Sequence, residues 1–431
     1  MHDGYCYRKP DNYRHGLLPI GGNHVRLRLI FFMSNNHLSD RINFLEESQT
    51  IGMSKLSREL SAKGVDVINL SLGEPDFVTP EHIRNAAKKA IDEGFTHYTP
   101  IAGYPELRKA ISDKFKRENN LDYSPEQIVV STGAKQAIAN VVLSLINPGD
   151  EVIIPLPYWV SYIEIVKLSE GKSVAPVTTL ESDFKISPDQ LEKAITPKTK
   201  MFVFSSPCNP TGSVYTREEL KALAEVLAKH PQVYILSDEI YEHINFLDKH
   251  CSIAEFENIK DRVIIVNGCS KGYAMTGWRI GYIGAPKWIA AACDKMQGQF
   301  TSGTSSISQK AAIAALSTDN RPTLEMQAAF RRRRDLVYKL IKEIPGLKTN
   351  EPKGAFYVFP NCSSYYGKSY EGTVIKNSTD LCMYLLHHGH VSVVTGEAFG
   401  APDYFRLSYA ASDDKLTEAI KRIKEALGRL G

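Results

Sequence analysis

The chain has 431 residues, which is long enough for two packed domains, since single hydrophobic cores stop growing at about 250–300 residues. Hydrophobic residues make up 43% and charged residues 23%, a balance typical of a globular protein that excludes a disordered or membrane-spanning chain. The formal net charge of +3 is too small for the electrostatic footprint of a nucleic-acid or membrane-surface protein. We therefore expect neither a nucleic-acid nor a membrane partner.

The seven cysteines are scattered along the chain and form no C-x-x-C pair. This distribution disfavours a zinc site and a disulfide framework, so we expect no metal. Free cysteines suit a reducing compartment, and the sequence predicts a cytoplasmic protein.

Residues 1–33 differ in composition from the rest, with four arginines and three histidines. We expect them to be a leader without fixed structure, arising from a start upstream of a true initiator at Met33 or from residues added for expression. A mitochondrial presequence is the less favoured interpretation, because Asp3 and Asp11 are unusual in such segments.

From about residue 80, helical patterns alternate with short apolar runs, which predicts β/α units around a mainly parallel sheet. The first predicted helix is capped by Thr79, begins at Pro80 and ends at Gly94. Continuous apolar runs predict buried strands at Gln127–Val130, Glu151–Ile154, Lys200–Phe204, Val233–Leu236 and Arg262–Val266.

After about residue 325 the pattern changes to a long helix, a strand at Gly354–Phe359, a helix at Thr379–His387 and further strands near Val391 and at Tyr404–Ser408. The fold class is therefore α/β, a large domain over residues 81–324 with a smaller α+β domain from 34–80 and 325–431. Inside the long helix, the run Arg331–Arg334 is interpreted as a solvated face.

Three polar motifs stand out, covering residues 205–212, 237–241 and 270–279. Asn209, Asp238 and Lys271 each lie just past the carboxyl end of a predicted strand. Ligands in open α/β sheets bind at that edge, so position and residue type both favour a binding site there.

Lys271 could hold the aldehyde of pyridoxal phosphate and then move protons once a substrate displaces it. Taken alone it would be one surface lysine among many. Ser270 before it and Arg279 eight residues after it suit a phosphate, and this company favours the cofactor. Asp238 would keep the ring nitrogen of that cofactor protonated, although an aspartate here could also cap the next helix.

Tyr241 and Asn209 could both donate hydrogen bonds to the phenolate oxygen of the ring. Asn209 could equally form an Asx turn before Pro210, and both roles are compatible. The phosphate would bind at the helix start that contains Ala134 and Lys135, where backbone amides are free. Trp159 could stack on the ring, or it could be a core tryptophan.

Arg406 lies in an otherwise apolar strand, where an unpaired guanidinium would be costly to bury. A bidentate clamp on a substrate carboxylate explains it, and an internal salt bridge is the alternative.

With these motifs the chain resembles the class I aminotransferases of the fold-type I pyridoxal-phosphate superfamily, most closely the bacterial aspartate aminotransferases of subgroup Ib. Similarity runs from about Asn43 to the C-terminus and is supported by the segments at 72–77, 98–100 and 405–410.

The resemblance implies a homodimer with shared active sites, in which Tyr98 reaches the cofactor phosphate of the neighbouring subunit. It also implies that Gly73, Trp159, Asn209 and Arg406 bind the substrate. One departure concerns Glu46, where some members of the subgroup have a lysine, and no replacement cation for the distal carboxylate of the substrate is evident.

The resulting hypothesis is an aspartate transaminase that uses pyridoxal phosphate, forms oxaloacetate and converts 2-oxoglutarate to glutamate in a ping-pong cycle. Its catalytic residues would be Lys271, Asp238 and Tyr241. The alternatives are an aminotransferase for alanine, aromatic or prephenate-type substrates, more remotely a β-lyase, and a non-catalytic ligand sensor.

Overall fold

The computed structural model describes residues 38–47, 49–317 and 321–431, so the predicted leader lies outside the described part. Residues 38–43 form one unit with a short helix, α1 (Asp40–Asn43), and residues 44–431 form another. Among the described residues, no helix is both long and apolar enough to cross a membrane.

The further helices are α2 (Gln49–Ala62), α3 (Glu81–Asp92), α4 (Pro105–Asn119), α5 (Ala134–Leu145), α6 (Ser161–Leu168), α7 (Pro188–Ala194), α8 (Arg217–Ala228), α9 (Lys287–Phe300), α10 (Ser306–Ser317), α11 (Arg321–Lys342), α12 (Ser378–His388) and α13 (Asp413–Gly428). The strands are β1 (Ile68–Asn69), β2 (Ile128–Thr132), β3 (Glu151–Ile153), β4 (Lys172–Val174), β5 (Thr199–Ser205), β6 (Tyr234–Asp238), β7 (Val263–Gly268), β8 (Ile280–Gly284), β9 (Tyr357–Val358), β10 (Ser369–Tyr370), β11 (Thr373–Val374), β12 (Val391–Ser392), β13 (Val394–Thr395) and β14 (Phe405–Ser408).

The largest sheet has seven strands in the order β2-β8-β7-β6-β5-β3-β4. Strand β8 is antiparallel to both of its neighbours, and the other pairs are parallel. This arrangement, with helices flanking the sheet, confirms the predicted α/β class. It also brings the carboxyl ends of β5, β6 and β7 to one edge, where Asn209, Asp238 and Lys271 lie.

The five strands predicted from apolar runs are present, with ends shifted by one or two residues. All six residues of β7 are buried, which explains why its first four residues are continuously apolar rather than alternating. Strands β4 and β8 were not predicted. Strand β8 contains two glycines in five residues, so its composition resembles a turn more than a strand.

Helix α3 begins and ends close to its predicted bounds, but Thr79 does not cap it. The N-cap is Pro80, and the Thr79 hydroxyl donates instead to the carbonyl of Ala274 at 2.6 Å. Thr79 bonds this distant carbonyl rather than capping helix α3, because its side chain faces the segment after Lys271 and not the first turn of its own helix.

The predicted long helix, strand β9, helix α12 and strands β12 and β14 follow one another in the predicted order, but the β10–β11 hairpin, strand β13 and helix α13 were not predicted. Strands β13, β14 and β9 form a three-stranded antiparallel sheet, and β12 pairs with β1. The solvated interpretation of the arginine run was wrong for two of its members. Arg333 and Arg334 are 6% and 8% exposed because they bind residues outside the helix. The division into two domains remains a prediction.

Three large hydrophobic clusters stabilise residues 44–431. One, the C-terminal core, packs around α11, α12 and α13 and includes Cys362 and Cys382. Two others cover the opposite faces of the seven-stranded sheet, one including Cys269 and the other Cys293. Burial raises the pKa of all four thiols.

Candidate active site

A cavity of about 270 Å³ lies at the carboxyl edge of the seven-stranded sheet. Its lining contains every predicted site residue except Tyr98. These residues are Gly73, Ala134, Lys135, Trp159, Asn209, Asp238, Tyr241, Ser270, Lys271, Arg279 and Arg406. Tyr98 is 97% exposed and lies outside the cavity wall.

Lys271 follows β7 and points its amine into the cavity. Its Nζ donates to the carbonyl of Gly73 at 2.5 Å and lies 5.8 Å from the centre of the Tyr241 ring. Burial, together with the charge of Arg406, lowers the pKa of Lys271 to about 8. An amine that loses its proton this readily can act as a nucleophile and as a base near neutral pH.

Asp238 is the last residue of β6 and is 5% exposed. Its carboxylate accepts hydrogen bonds from the Tyr162 hydroxyl at 2.7 Å and from the backbone N–H of Ile240 at 3.2 Å. Burial raises the pKa of Asp238 to about 6, while the two hydrogen bonds oppose that rise. The carboxylate is therefore predominantly ionised at neutral pH, as the partner of a protonated ring nitrogen must be.

Tyr241 lies in the turn after Asp238, and its hydroxyl is 2.7 Å from that of Tyr357. Burial raises the pKa of Tyr241 well above its ordinary value, so the phenol stays protonated and can donate a hydrogen bond. Asn209 lies across the cavity and accepts through Oδ1 from Arg406 at 2.9 Å, which leaves its amide N–H groups for another acceptor.

Arg406 is 2% exposed and has only neutral hydrogen-bond partners among the described residues, the Asn209 side chain and the carbonyl of Ser71 at 2.6 Å. Its Nε is buried with no hydrogen-bond partner among those residues. Burial lowers its pKa, and the guanidinium lies 4.4 Å from the centre of the Tyr357 ring. Among the described residues, Arg406 therefore does not form the internal salt bridge that was the alternative interpretation. A buried, uncompensated cation that lines a cavity is suited to an anionic ligand.

A second cationic region lies where α5 begins. Gly133 precedes the helix with a φ of 83°, and a Cβ atom at that position would collide with the guanidinium of Arg279. The helix amides and the Arg279 side chain therefore face the same small volume, which suits a phosphate. Burial, with the nearby charge of Arg279, lowers the pKa of Lys135, whose Nζ is 5.2 Å from the centre of the Trp159 ring.

Sequence reasoning missed part of the cavity wall, namely Thr50, Ile51, Val160, Ser161, Tyr162, Ser205, Ile240, Thr276 and Tyr357. Tyr162 carried a usable signal, because it lies one helical turn after Trp159 and would face the same side. Tyr357 carried none, since an aromatic residue in a short apolar strand is most often a core residue.

A half-buried lysine with a lowered pKa, an aspartate at the adjacent strand end and two cationic regions on a mostly parallel α/β sheet are an arrangement suited to chemistry on amino groups. The sequence model of the family "Aminotransferase class I and II" matches residues 65–423, and the chain belongs to that family. Among curated relatives, a bifunctional aspartate aminotransferase and glutamate/aspartate-prephenate aminotransferase of Petunia hybrida is 50% identical over 90% of this chain and 82% of its own length. A probable aspartate/prephenate aminotransferase of Rhizobium leguminosarum bv. phaseoli is also 50% identical, over 91% of this chain and 98% of its own length.

Solved structures agree with this assignment. The aspartate aminotransferase of Rhizobium meliloti superposes with a TM-score of 0.88 at 44% identity, covering 91% of this chain and 99% of that one. The aspartate aminotransferase of Thermus thermophilus with maleate gives a TM-score of 0.85 at 40% identity, covering 90% of this chain and 99% of that one. The chain therefore has the fold of the fold-type I aminotransferases, and the predicted enzyme class is confirmed.

Proposed function

We propose that the protein is a pyridoxal-phosphate-dependent aspartate aminotransferase that passes the amino group of aspartate to 2-oxoglutarate. The observation that carries this proposal is the half-buried Lys271 in the cavity wall, whose pKa is lowered to about 8 beside the ionised Asp238. An amine of this kind and a carboxylate in one cavity are the two groups that the cofactor demands of a protein.

The residues present fit that cofactor. Lys271 would hold its aldehyde carbon and Asp238 its ring nitrogen, with Trp159 stacked on the ring. Ser270, Arg279 and the amides of Ala134 and Lys135 would hold the phosphate, and Tyr241 and Asn209 would donate to the phenolate oxygen. Support comes from the close approach of the Arg279 guanidinium to Gly133, which places this cation against the free amides at the start of helix α5.

When bound, pyridoxal phosphate supplies an electrophilic carbon for the amino group and a ring that accepts the electrons of the substrate Cα–H bond. Lys271 would take the proton from the substrate Cα and hold it for return in the second half of the transfer. Its lowered pKa suits both directions, since efficient proton transfer needs a pKa near the working pH. Asp238 would stay ionised throughout and would stabilise a positive charge on the ring nitrogen.

Arg406 would bind the α-carboxylate of either substrate, and its unpartnered Nε and neutral neighbours support that role. With Arg406, Arg279 and Lys271 given these roles, Lys135 is the cation of the cavity wall that has no role yet. It is suited to bind the distal carboxylate of a dicarboxylic acid. The names of the similar proteins support aspartate as donor.

We further propose a cytoplasmic homodimer. The exposed Tyr98 side chain supports this, because an aromatic ring that is 97% exposed in one chain is suited to a subunit interface. Within the dimer it would contact the phosphate of the partner's cofactor. The free cysteines support a reducing compartment.

The test is a half-reaction. The purified protein is loaded with pyridoxal phosphate and mixed in turn with aspartate, alanine, phenylalanine and the amino product of prephenate, and the cofactor absorbance is followed. Conversion should be fastest with aspartate. Asp238→Asn should bind the cofactor and lose turnover by about 10²–10⁴-fold, because the ring is no longer held protonated. Failure to bind the cofactor at all would refute the proposal, and near-normal turnover by Asp238→Asn would refute the role of that residue.

Prephenate as a second amino acceptor is favoured by the names of several relatives. A neighbouring cavity of about 340 Å³ shares Lys135, Val160 and Ser161 with the first and offers room for a longer substrate. Its wall includes Glu46, which is 3.6 Å from Lys167. The rate with prephenate relative to 2-oxoglutarate, measured from the amino form of the enzyme, decides between one acceptor and two.

A further inference from the structure

Helix α11 carries a buried arginine that lies outside the cavity wall and makes two hydrogen bonds to one carboxylate. The side chain of Arg333 is 7% exposed, and its two terminal nitrogens donate to the two carboxylate oxygens of Asp76 at 2.7 and 3.0 Å. The guanidinium also lies 5.0 Å from the centre of the Phe77 ring. A buried ion pair adds little to stability once desolvation is counted, whereas its bidentate geometry fixes orientation strongly.

Asp76 belongs to an irregular segment, residues 70–79, which we call the strap. The strap runs from the C-terminal core to the segment after Lys271. At its first end Leu70 bonds Ser392 and Ser408 through the backbone, each at 2.9 Å. At its other end Thr79 bonds the carbonyl of Ala274. Asp76 is its ion-paired contact with helix α11.

The middle of the strap forms part of the cavity wall. The carbonyl of Gly73 accepts from Lys271, that of Ser71 accepts from Arg406, and Glu74 accepts from Thr276 at 2.8 Å. The approach is close, because a Cβ atom on Gly73 would lie 2.5 Å from the Tyr357 hydroxyl oxygen. A small displacement of the strap would thus change the space beside both Arg406 and Lys271.

We propose that Arg333 is a positioning residue for substrate binding, which acts by fixing Asp76 and, through it, the strap over the cavity. It touches neither substrate nor cofactor. This role rests on the proposed function, because it takes the space beside Gly73 and Arg406 to be the site of the substrate carboxylate. Asp76 is three residues from Gly73, so freeing it would let the backbone at Ser71 and Gly73 move away from Arg406 and Lys271.

The helix supplies a matched control. Arg332, the preceding residue of helix α11, binds Asp413 at 2.8 Å. Its side chain is 62% exposed, and it makes no hydrogen bond to the strap. We expect Arg333→Gln and Asp76→Asn to raise KM for both the amino acid and the oxo acid about tenfold, with a smaller change in kcat. Arg333→Lys, which keeps the charge but not the fork, should fall between them and the wild type. Arg332→Gln should leave KM unchanged.

Binding is also measured without turnover, by calorimetric titration of the cofactor-loaded protein with maleate as a dicarboxylate that carries no amino group. The dissociation constant should rise with KM in Arg333→Gln and Asp76→Asn, while the cofactor absorbance stays close to that of the wild type. Tm should fall in both variants, because each leaves one charge of the pair without its partner. Unchanged KM and maleate affinity with a lowered Tm would overturn the proposal, as would an equal rise of KM in Arg332→Gln. Wild-type turnover is measured first, so that failure of the proposed function is recognised separately.

Discussion

Replacing Tyr162 by phenylalanine removes one hydroxyl from behind Asp238 and changes little else, because the ring is 3% exposed and its shape is kept. The lost hydrogen bond is 2.7 Å long and ends on an ionised carboxylate. Such bonds contribute about 1.5–3 kcal/mol, and one pKa unit corresponds to about 1.4 kcal/mol. Since the bond favours the ionised form, its loss makes Asp238 harder to ionise.

The size of the effect follows from the pKa of about 6 that Asp238 has with the bond in place. At about pH 7 the wild-type carboxylate is ionised in about nine tenths of the molecules, and in the variant the share should fall to between about a half and a tenth. Binding of the cofactor, which is tighter to the ionised form than to the neutral one, should weaken by about two- to tenfold. At about pH 9 both proteins are largely ionised and the difference should nearly vanish.

The assay is titration of the cofactor-free protein with pyridoxal phosphate, followed by absorbance at both pH values. Tyr123→Phe is the matched control, because that hydroxyl is buried without a hydrogen-bond partner among the described residues and lies outside the cavity wall. A Tyr162→Phe protein with wild-type affinity at about pH 7, or with a defect equally large at about pH 9, would refute the reasoning.

Three more predictions concern charge. Arg406→Gln should raise KM for both acids by about 30-fold or more, because removing one partner of a buried charge pair costs about 2–5 kcal/mol. KM values equal to those of the wild type would contradict the clamp. Lys114→Met should lower the free energy of unfolding by about 3–5 kcal/mol in chemical denaturation, because it leaves the Glu242 carboxylate without its cationic partner. Burial alone would raise the pKa of Glu242, and the charge of Lys114 lowers it. The exposed pair of Lys116 and Asp122 provides the control, and Lys116→Met should change stability by less than about 1 kcal/mol. The last of these predictions concerns His250, which lies 3.0 Å from Glu239. Burial alone would lower the pKa of His250, but Glu239 raises that pKa above its ordinary value. This stabilisation is complete below about pH 6.5 and is lost as the pH rises through the folded-state pKa, so the Tm deficit of His250→Gln should shrink from about pH 6 to about pH 9.

The fold and much of the cavity followed from sequence because they depend on local patterns. Apolar runs in β5, β6 and β7 show burial on both faces, and a polar residue after each run marks the edge where ligands bind. Asn209, Asp238 and Lys271 could thus be placed together without coordinates.

What could not be predicted depends on contacts between distant parts of the chain. Tyr357 enters the cavity from the C-terminal core, and nothing in its own strand indicates that. Thr79 has the residue type and position of a helix cap, yet it bonds a carbonyl 195 residues away. The burial of Arg333 depends on Asp76, which is 257 residues distant, so a helix wheel alone assigns it to solvent.

The distribution of buried cysteines gives this chain built-in reporters of local opening. Each of the three large clusters holds at least one thiol, Cys269 and Cys293 on the two faces of the sheet and Cys362 with Cys382 in the C-terminal core. Because a buried thiol reacts only when its surroundings open, the rate at which each is alkylated measures the opening of its own cluster. A labelling time course read by peptide mass spectrometry would rank the clusters by local stability in the native chain, with no engineered probe, and would show whether loading the cofactor slows all three or only those that border the cavity.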